Sequence, residues 1–565
     1  MQSFYRQARQ LIATERHAEL PSLPLERPTH FNWYADVFEA INLADHPDAL
    51  AVLWTDGETE RRFTYRDLAD RTDRILGYLR AHGIAEGAVI YSQIPLVPAI
   101  YDAHLVAIKG GYRLIPAATV LSTEDIAYRF RTVLPSVVIA DPTTAPHIED
   151  ALAQVDAVVP IRILVGGTRD GWLSEEDLLA QPLTPQSPVD SLPDDPLFLF
   201  FTSGTTGMPK VVVHTHLSYP LGHLTTASWI GLRHGDVHYN ISQPGWAKYA
   251  WSSFFAPLSM GATVLAYNPP GRFAAEDQFA LMVTHGVTTF CAPPTALRLL
   301  VQTDMTRHAL RIRQCVAAGE PLNPEVIELW RQGTGLGIRD GYGQTESTCL
   351  VANLPGDTVK PGSMGRPTFL YDVVIADDDG HELPVHEEGN ICVRTGTGRP
   401  TGIFHHYLGD SERMAAVFRH GLYYTGDKAY RDEDGYIWFV GRDDDVIKAS
   451  DYRIGPFEVE SILLEHDAVL ESAVVGSPHP VRGHEVKAFL ILAEGHVPSE
   501  ALSAELFGYA RRRLAPYKVP RIIEFVTELP KTVSGKIRRV ELRGAEADRR
   551  ARNLTGEHEY FRERS

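Results

Sequence analysis

The chain of 565 residues is long enough for more than one domain, and its 44% hydrophobic and 22% charged residues are ordinary for a globular protein. Its net charge of −18 repels nucleic-acid phosphates and anionic membranes, so we expect neither as a partner. Four scattered cysteines without a C-x-x-C pair argue against a disulfide framework. No apolar run is long enough to cross a bilayer and the start does not match a signal peptide, so we expect a cytoplasmic protein without membrane insertion. The oligomeric state stays open, with a homo-oligomer among the expected states.

Helical and strand patterns alternate along the first part of the chain. After an amphipathic helix in residues 1–20, "YRDLADRTDRILGYLRAHG" predicts a helix, "AVIYSQIP" a strand and "VPAIYDAHLVAIKGG" a helix. The alternation resumes over residues 278–346, with the strands "GVTTFCAPP" and "CVAAG" and the helix "PEVIELWRQ". Such alternation with short turns is typical of parallel sheets covered by helices. We therefore predict an α/β fold whose large N-terminal domain holds parallel-rich sheets packed with helices.

The pattern of predicted secondary structure changes after residue 370. Short strands and turns, such as "DVVIADDDGHEL" and "GYIWFVGR", predict a small antiparallel or barrel-like β unit. A compact α+β pattern follows the acidic run Asp443-Asp444-Asp445. We place a domain boundary there, giving an N-terminal domain of residues 1–442 and a small C-terminal domain of residues 443–565. The last 20 or so residues are rich in charge and predict a solvated helix or tail rather than a binding arm.

The stretch "FFTSGTTGMPKVVVHTH" (200–216) is the first candidate for chemistry. Glycines let backbone N–H groups approach an anion, hydroxyls add donors, and a lysine adds a mobile positive charge. The spacing G-x-x-G-x-x-K differs from that of a P-loop, so a P-loop NTPase is not expected. The loop alone favours phosphate binding only modestly over a flexible surface turn. Its candidate residues are Thr202, Ser203, Gly204, Thr205, Thr206, Gly207 and Lys210.

Further segments follow in a fixed order. They are "AAGEPLN" (317–323), "GYGQTES" (341–347), "YYTGDKAYRDEDGYIWFVGRDDDVIK" (423–448), "DYRIGPFEVE" (451–460) and "LPKTVSGKIRR" (529–539). Together with the loop, they make the sequence resemble the adenylate-forming superfamily of acyl-CoA synthetases, peptide-synthetase adenylation domains and firefly-type luciferases. Through "GWAKYAWSSFF" and "PYKVPRIIEFVTELPKTVSGKIRR" it resembles medium-chain acyl-CoA synthetases most.

The resemblance implies two half-reactions with ATP, Mg²⁺ and CoA. A carboxylate attacks the α-phosphate of ATP to give an acyl-adenylate and pyrophosphate, and CoA then displaces AMP. It also implies that the small C-terminal domain is mobile and rotates between the two steps. The substrate would be a small-molecule carboxylic acid.

The resemblance assigns roles to particular residues of the ATP site. Glu346 would hold Mg²⁺ and Thr345 would contact a phosphate, while Tyr342 would stack on the base and Asp427 would accept hydrogen bonds from the ribose. Lys536 would be the catalytic lysine, because a flexible ammonium can offset the charge that develops between carboxylate and phosphate. The other residues implied for ATP are Gly319, Glu320, Pro321, Asp340, Gly341, Gly343, Gln344, Arg442 and Arg453.

The resemblance also places a hinge and a CoA site. The hinge matches Asp444, between the two domains. The residues implied for CoA are Ser450, Asp451, Tyr452, Arg482 and Arg521, the arginines for its phosphates. Many relatives carry glycine at the position of Asp451, so a side chain there could narrow the pantetheine channel.

The acyl pocket would be lined by Trp246, Tyr249, Ala250, Trp251, Gly319 and Gly343. Acetate-specific relatives have tryptophan at the position of Gly343, so glycine leaves room for a longer acyl group. No acidic residue lies between Gln243 and Ala256, which disfavours amino-acid substrates because their ammonium would be buried without a partner. The sequence thus predicts a medium-chain or branched acid as the substrate.

Other functions stay open at this point. The chain could load acyl groups onto a separate carrier protein, or act on aryl or cycloalkyl acids. It could also be a nucleotide-binding regulatory protein without catalysis, which the retention of Lys536, Glu346 and Asp427 argues against.

Overall fold

The computed structural model describes residues 1–202, 209–271, 273–320, 322–396, 398–449, 452–480, 482–531 and 536–562. Within these ranges the strands form four sheets, which we call sheets I to IV. Helices lie between and outside the first two sheets, so the predicted α/β class is confirmed.

Sheets I and II are largely parallel. Sheet I has the strand order Arg366–Pro367, Cys349–Ala352, Ile338–Gly343, Gln314–Ala317, Thr289–Ala292, Val237–Asn240, Thr263–Tyr267, Leu50–Thr55 and Glu60–Thr64. Its strands are parallel from Ile338–Gly343 to Leu50–Thr55. Sheet II has the order His406–Tyr407, Lys210–Thr215, Pro196–Thr202, Arg113–Pro116, Val89–Gln93, Val137–Ala140, Ile161–Leu164 and Leu173–Ser174. Antiparallel pairs at the sheet ends bring in the strands that carry several candidate residues.

Sheets III and IV are smaller. Sheet III is antiparallel and confirms the barrel-like unit predicted after residue 370; its strands are Val373–Ala376, Gly389–Arg394, Phe418–Arg419, Leu422–Arg431 and Ile437–Arg442. Sheet IV is mixed; its strands are Ile447–Ala449, Tyr452–Ile454, Val469–His479, Gly483–Leu492, Ile522–Phe525 and Glu559–Phe561. The predicted boundary at residue 443 stays a prediction, although sheet III ends at Arg442 and sheet IV begins at Ile447.

The helices cover these sheets. The α-helices are Gln2–Ala13, Tyr65–Ala81, Ala99–Gly110, Thr123–Thr132, Ala145–Gln154, Glu175–Leu179, Ser218–Gly222, Leu224–Ile230, Ala247–Ala250, Ala256–Met260, Ala275–Thr284, Pro294–Leu300, Pro324–Thr334, Ser411–Val417, Pro456–Leu464, Glu500–Arg513 and Arg539–Ala551. Short 3₁₀ turns occupy His17–Ser22 and Met305–Arg307, and π-helical turns occupy Tyr34–Leu43 and Trp251–Phe255. None of the helices in the described ranges is long and apolar enough to cross a membrane.

One helix shows why the large domain holds together. Every residue of Ala99–Gly110 is buried, including Asp102 and Lys109, whose charges are paired with Arg71 and Asp73. By contrast, Tyr65–Ala81 is amphipathic, and its N-terminus is closed by a reciprocal capping box between Thr64 and Asp67. The first helix is therefore central, and the second lies at the surface.

The C-terminal unit has a hydrophobic core of its own, formed by sheet IV and the helices Pro456–Leu464 and Glu500–Arg513. The prediction of a solvated tail at the chain's end is wrong for its last elements. Strand Glu559–Phe561 pairs with Ile522–Phe525, and the Glu559 side chain is fully buried against Lys487. The tail thus belongs to the folded unit, because buried cations offset its charges.

Candidate active site

The side of the site that is predicted to bind phosphates is built on a hairpin of sheet II. Thr202 ends one strand and lies in register with Lys210, which begins the next. The Lys210 Nζ atom lies 2.5 Å from Oε1 of Glu346, and the Tyr407 hydroxyl donates to the same oxygen at 2.9 Å. Burial alone would raise the pKa of Glu346, but Lys210 and Tyr407 lower it below its ordinary value. The site therefore holds an ionised carboxylate beside a lysine.

Glu346 and Thr345 lie in the turn between the strands Ile338–Gly343 and Cys349–Ala352 of sheet I. The Thr345 carbonyl is 2.7 Å from Nε2 of His214, whose Nδ1 is 3.0 Å from the Ser218 hydroxyl. Burial lowers the pKa of His214 to about 4, so the imidazole is neutral. Because a carbonyl oxygen can only accept, the neutral His214 ring donates its Nε2–H to the Thr345 carbonyl. His214 thus fixes the turn that carries Thr345.

A second group of residues forms the side predicted for the nucleoside. Asp427, on sheet III, is buried, and its Oδ2 accepts hydrogen bonds from the Tyr342 hydroxyl at 2.5 Å and from Gln344 Nε2 at 2.6 Å. Gln344 also donates to the Thr425 carbonyl and accepts from the Tyr423 hydroxyl. Burial raises the pKa of Asp427, although its hydrogen bonds and Arg442 oppose the shift. The predicted ribose and base residues therefore form one hydrogen-bonded group.

The segment after strand Gln314–Ala317 forms the neighbouring wall. Gly319 has a φ of 108°, which only glycine adopts readily, and an added Cβ would meet open space. The Glu320 carboxylate accepts from the Thr295 hydroxyl at 2.7 Å and lies 3.8 Å from Arg298. The glycine therefore leaves an opening beside a carboxylate that helix Pro294–Leu300 holds in place.

Asp340 and Gly341 lie on the strand next to this wall. The Asp340 carboxyl is buried and accepts a hydrogen bond from the Gly341 N–H at 2.8 Å. Burial raises the pKa of Asp340 to about 8. Asp340 thus sits under the loop as an internal backbone acceptor.

Lys536 reaches the site from the C-terminal unit. Its ammonium interacts electrostatically with the carboxylates of Glu320 and Asp427 and with Arg442. The residue stays exposed to the cleft, yet the surrounding protein removes enough water to lower its pKa. The structure therefore brings the predicted catalytic lysine to the predicted ATP residues.

The linker carries the predicted hinge. Arg442 lies opposite Asp427 in the strand pair, and its Nε is 3.3 Å from Asp444. Asp444 also lies 4.0 Å from Arg543 of the last long helix. An exposed turn residue that touches both units is a suitable position for a hinge, which stays a prediction.

The predicted CoA arginines converge on one carboxylate. Arg482 and Arg521 lie 3.3 Å and 3.9 Å from Glu485. Arg562 joins them, because its backbone N–H donates to the Arg521 carbonyl and its pKa is lowered by burial and by the neighbouring arginines, including Arg511. The cluster carries more positive than negative charge, as a phosphate site requires.

Tyr452, predicted for CoA, and Arg453, predicted for ATP, are both exposed on strand Tyr452–Ile454. The Tyr452 ring stacks on Tyr517 at a centroid distance of 4.3 Å. Arg453 pairs in register with Lys448, and among the described residues no ion pair joins it to the ATP-binding group. The role of Arg453 in binding ATP therefore stays a prediction.

Four of the predicted acyl residues, Trp246, Tyr249, Ala250 and Trp251, lie at the start of a helix that a π-helical turn interrupts at Trp251–Phe255. Such turns redirect side chains and are frequent at functional sites. Tyr249 and Ala250 are buried, and the Tyr249 ring packs edge-on to His104 and Tyr101. Trp246 and Trp251 are half-buried. Of the four predicted acyl residues on this helix, these two therefore have side chains that reach accessible space.

Gly343 has a structural reason to be glycine. A Cβ at this position would lie 2.2 Å from the Thr348 carbonyl oxygen, because the two strands approach closely at a bulge. In this structure glycine at position 343 therefore allows the close approach of the two strands, and its effect on the acyl pocket stays a prediction.

Several predicted residues fall outside the described ranges. They are Ser203, Gly204, Thr205, Thr206 and Gly207 of the phosphate loop, Pro321, and Ser450 and Asp451 of the CoA set. Three side chains of the site were missed. Tyr407 carries no local motif, whereas Tyr423 begins the segment 423–448 and Lys248 is the single charge within "GWAKYAWSSFF", so the sequence held a signal for these two.

Comparisons with known proteins match this architecture. The model of the family "AMP-binding enzyme" matches residues 40–408, and that of the "AMP-binding enzyme C-terminal domain" matches residues 458–536. The 4-hydroxybutyrate–CoA ligase 1 of Metallosphaera sedula is 48% identical over 94% of this chain and 93% of its own. The mitochondrial acyl-coenzyme A synthetase ACSM3 of Mus musculus is 40% identical over 92% of each chain. The crystal structure of the anthranilate CoA ligase AuaEII with anthranoyl-AMP has a TM-score of 0.84 at 31% identity, over 93% of this chain and 99% of that one.

A large α/β part with mixed sheets and a separate small C-terminal domain, shared with solved relatives such as the anthranilate CoA ligase, define an adenylate-forming enzyme. The chain belongs to the AMP-binding enzyme family and is an AMP-forming acid–CoA ligase, with ATP and CoA as substrates. The resemblance to medium-chain acyl-CoA synthetases is confirmed.

Proposed function

We propose that this ligase activates a medium-chain or branched carboxylic acid and transfers the acyl group to CoA. The acid's carboxylate attacks the α-phosphate of ATP, forming acyl-adenylate and releasing pyrophosphate; the CoA thiol then attacks the acyl carbon, loses its proton and releases AMP. The observation that carries the proposal is the approach of Lys536 to Asp427 and Glu320.

The chain's own residues supply binding and charge in the first step. Asp427 accepts hydrogen bonds from the ribose, with Tyr342 and Gln344 holding its carboxylate in place. Lys210 binds the phosphates, and Lys536 offsets the negative charge that develops at the α-phosphate. No protein nucleophile is required, because the substrate carboxylate itself attacks.

Magnesium is part of the proposal. The donor chemistry fits, since Glu346 is ionised and Mg²⁺ is commonly held by one or two carboxylates together with substrate phosphates. Among the described residues Glu346 belongs to no cluster of three ligands, so phosphate oxygens would complete the coordination. When bound, the ion would offset phosphate charge.

The second step requires the C-terminal domain to rotate. We propose a division between domains at residues 442 and 443, with Asp444 as the hinge. Rotation separates contacts such as the 4.0 Å approach of Asp444 to Arg543. The Arg482–Arg521–Arg562 cluster would then bind CoA phosphates, since paired guanidinium groups suit phosphate oxygens.

Three observations support the class of acid. The half-buried Trp246 and Trp251 offer apolar walls, and no acidic residue lies nearby in sequence to bind an ammonium. The relative from Metallosphaera sedula is named for a four-carbon acid, and the mouse relative is an acyl-coenzyme A synthetase. A cytoplasmic location and a place in fatty-acid metabolism belong to the same proposal, which the free cysteines fit because a reducing compartment keeps thiols reduced.

The test is a panel of straight, branched and aromatic acids from C2 to C12. Exchange of labelled pyrophosphate into ATP, with magnesium and without CoA, should be strongest for C4 to C8 straight or branched acids. Added CoA should then give the thioester by mass spectrometry. Exchange without thioester would favour transfer to a carrier protein, preference for benzoate would favour an aryl ligase, and no exchange with any acid would contradict the proposal.

A further inference from the structure

A single charged residue interrupts the apolar helix beside the acyl site. Lys248 is the only charged residue between Gln243 and Ala256. It lies in the short helix Ala247–Ala250, between the half-buried Trp246 and Trp251. No step of the proposed reaction uses this lysine so far.

The Lys248 side chain points toward the wall of the site that is predicted to bind ATP. Its Nζ atom is 3.4 Å from the carbonyl oxygen of Ala318, the residue before Gly319 and Glu320. The ammonium therefore lies where the acyl wall meets the predicted ATP wall. That junction is where the carboxylate must meet the α-phosphate.

The surroundings of Lys248 leave its charge poorly compensated. The contact to Ala318 is long for a hydrogen bond, and among the described residues no carboxylate lies within 4 Å of Nζ. Burial lowers the pKa of Lys248, and Lys536 lowers it further while Glu320 opposes the shift. A half-buried ammonium in this state gains more from a bound anion than an exposed one does.

Two lysines thus approach Glu320 from different parts of the chain. Lys248 belongs to the large domain, and Lys536 comes from the C-terminal domain. Glu320 is already engaged by Thr295 and Arg298. An anion placed between the lysines would relieve their mutual repulsion.

We propose that the Lys248 ammonium binds the carboxylate of the acyl substrate and orients it for attack on the α-phosphate. The inference rests on the proposed function and adds a substrate-binding residue to it. Lys248 stays in place when Lys536 leaves with the rotating domain, so it holds the acid before the second lysine arrives. A neutral side chain at 248 weakens binding of every acid, whatever its chain.

The test compares Lys248→Met, which keeps an unbranched side chain and removes the charge, with Lys248→Arg. Lys531→Met is the control for losing a surface lysine. Pyrophosphate exchange is measured with butanoate, hexanoate and 4-hydroxybutanoate. In Lys248→Met the KM of all three acids should rise by about ten- to a hundredfold, the usual worth of a hydrogen bond to a charged group. The KM of ATP should stay within about twofold. Lys248→Arg should recover part of the loss, and Lys531→Met should match the wild type.

Three results would overturn the inference: an unchanged KM for the acids, an equal rise in the KM of ATP, or a loss confined to 4-hydroxybutanoate, which would assign the lysine to the distal hydroxyl. Lys248→Gln gives the same readout if the methionine variant fails to fold. A wild type without exchange would contradict the proposed function instead. Calorimetry of hexanoate binding to wild type and Lys248→Gln, with a non-hydrolysable ATP analogue, would then still decide the role of Lys248.

Discussion

Lys210 and Glu346 form an ion pair with each other, Nζ to Oε1 at 2.5 Å, although each is assigned to a different part of the ATP complex. Tyr407 bridges them, since its hydroxyl contacts both the lysine and the carboxylate. These contacts keep the Lys210 ammonium paired and the buried Glu346 carboxylate ionised. In the proposed reaction, both groups would exchange these contacts for contacts to ATP and Mg²⁺.

Lys210→Met tests this pairing through stability. Breaking a buried pair from one side costs about 3–5 kcal/mol, because the remaining charge stays desolvated. We expect urea unfolding to show a loss of that size, and Lys210→Met combined with Glu346→Gln to recover much of it. The exposed pair Arg16–Glu19 is the control, and Arg16→Met should cost less than about 1 kcal/mol. A similar loss for both methionine variants would contradict the argument.

Asp427→Asn tests ribose recognition. The variant keeps an acceptor for Tyr342 but loses the charge, so the KM of ATP should rise by about ten- to a hundredfold. The wild type should lose a similar factor with 2′-deoxy-ATP, whereas the variant should treat both nucleotides nearly alike. Asp434→Asn, an exposed carboxylate of the same β unit, should leave both values unchanged. An Asp427→Asn enzyme that still discriminates fully between the nucleotides would place the ribose elsewhere.

Lys536→Ala separates the two half-reactions. Adenylation should fall by at least about a hundredfold, because the ammonium stabilises charge that appears in that transition state. Thioester formation from supplied acyl-adenylate and CoA should stay within about fivefold of wild type. Lys531→Ala is the matched control, since Lys531 is paired with Glu471 at 2.8 Å. Equal losses in both half-reactions would remove Lys536 from its specific role.

The sequence could predict which residues gather in the cleft because they lie in short segments that resemble the adenylate-forming superfamily. Thr345 and Glu346 share one turn, and Asp427 precedes the strand that carries Arg442. Tyr407 was not predictable. Its strand joins Lys210–Thr215 by two register pairs between segments far apart in the chain, and no local pattern records that pairing.

The end of the chain shows a different limit of sequence reasoning. A run of charged residues looks solvated when the partners that neutralise it are distant. Glu546 and Glu559 are both buried because Lys487 of another strand lies 2.6 Å from each. Composition gives the number of charged residues in a segment, but their burial depends on oppositely charged side chains that the fold brings close to them.

Asp340→Asn tests the buried carboxyl that accepts a hydrogen bond from the Gly341 N–H. Burial raises the pKa of Asp340 from 3.8 to about 8, so folding favours the protonated form. Its contribution to stability is therefore full below about pH 4 and is lost by about 1.4 kcal/mol per pH unit as the pH rises to 8. Asparagine is neutral throughout and keeps an acceptor for the Gly341 N–H. The melting temperature of the variant relative to that of the wild type should increase from pH 5 to pH 8. Asp304→Asn, a change at an exposed carboxylate, should show no such trend.

Lys487→Met tests whether buried ion pairs fasten the C-terminal elements to sheet IV. The Lys487 Nζ atom lies 2.6 Å from carboxylates of Glu524, Glu546 and Glu559, and its side chain is fully buried. Without the lysine, the three buried carboxylates keep Arg549 and Arg550 as their cationic partners. We expect the free energy of unfolding to fall by about 3–5 kcal/mol.

That variant should also expose the chain after residue 539 to trypsin under native conditions, because helix Arg539–Ala551 and strand Glu559–Phe561 lose their shared cation. Since the strand leads directly to Arg562 beside Arg521, the KM of CoA should rise while pyrophosphate exchange keeps its KM for ATP. Lys531→Met, which removes an exposed lysine from the same domain, should change none of these readouts. Unchanged trypsin sensitivity together with an unfolding free energy within about 1 kcal/mol of wild type would show that the carboxylates are held by the arginines alone.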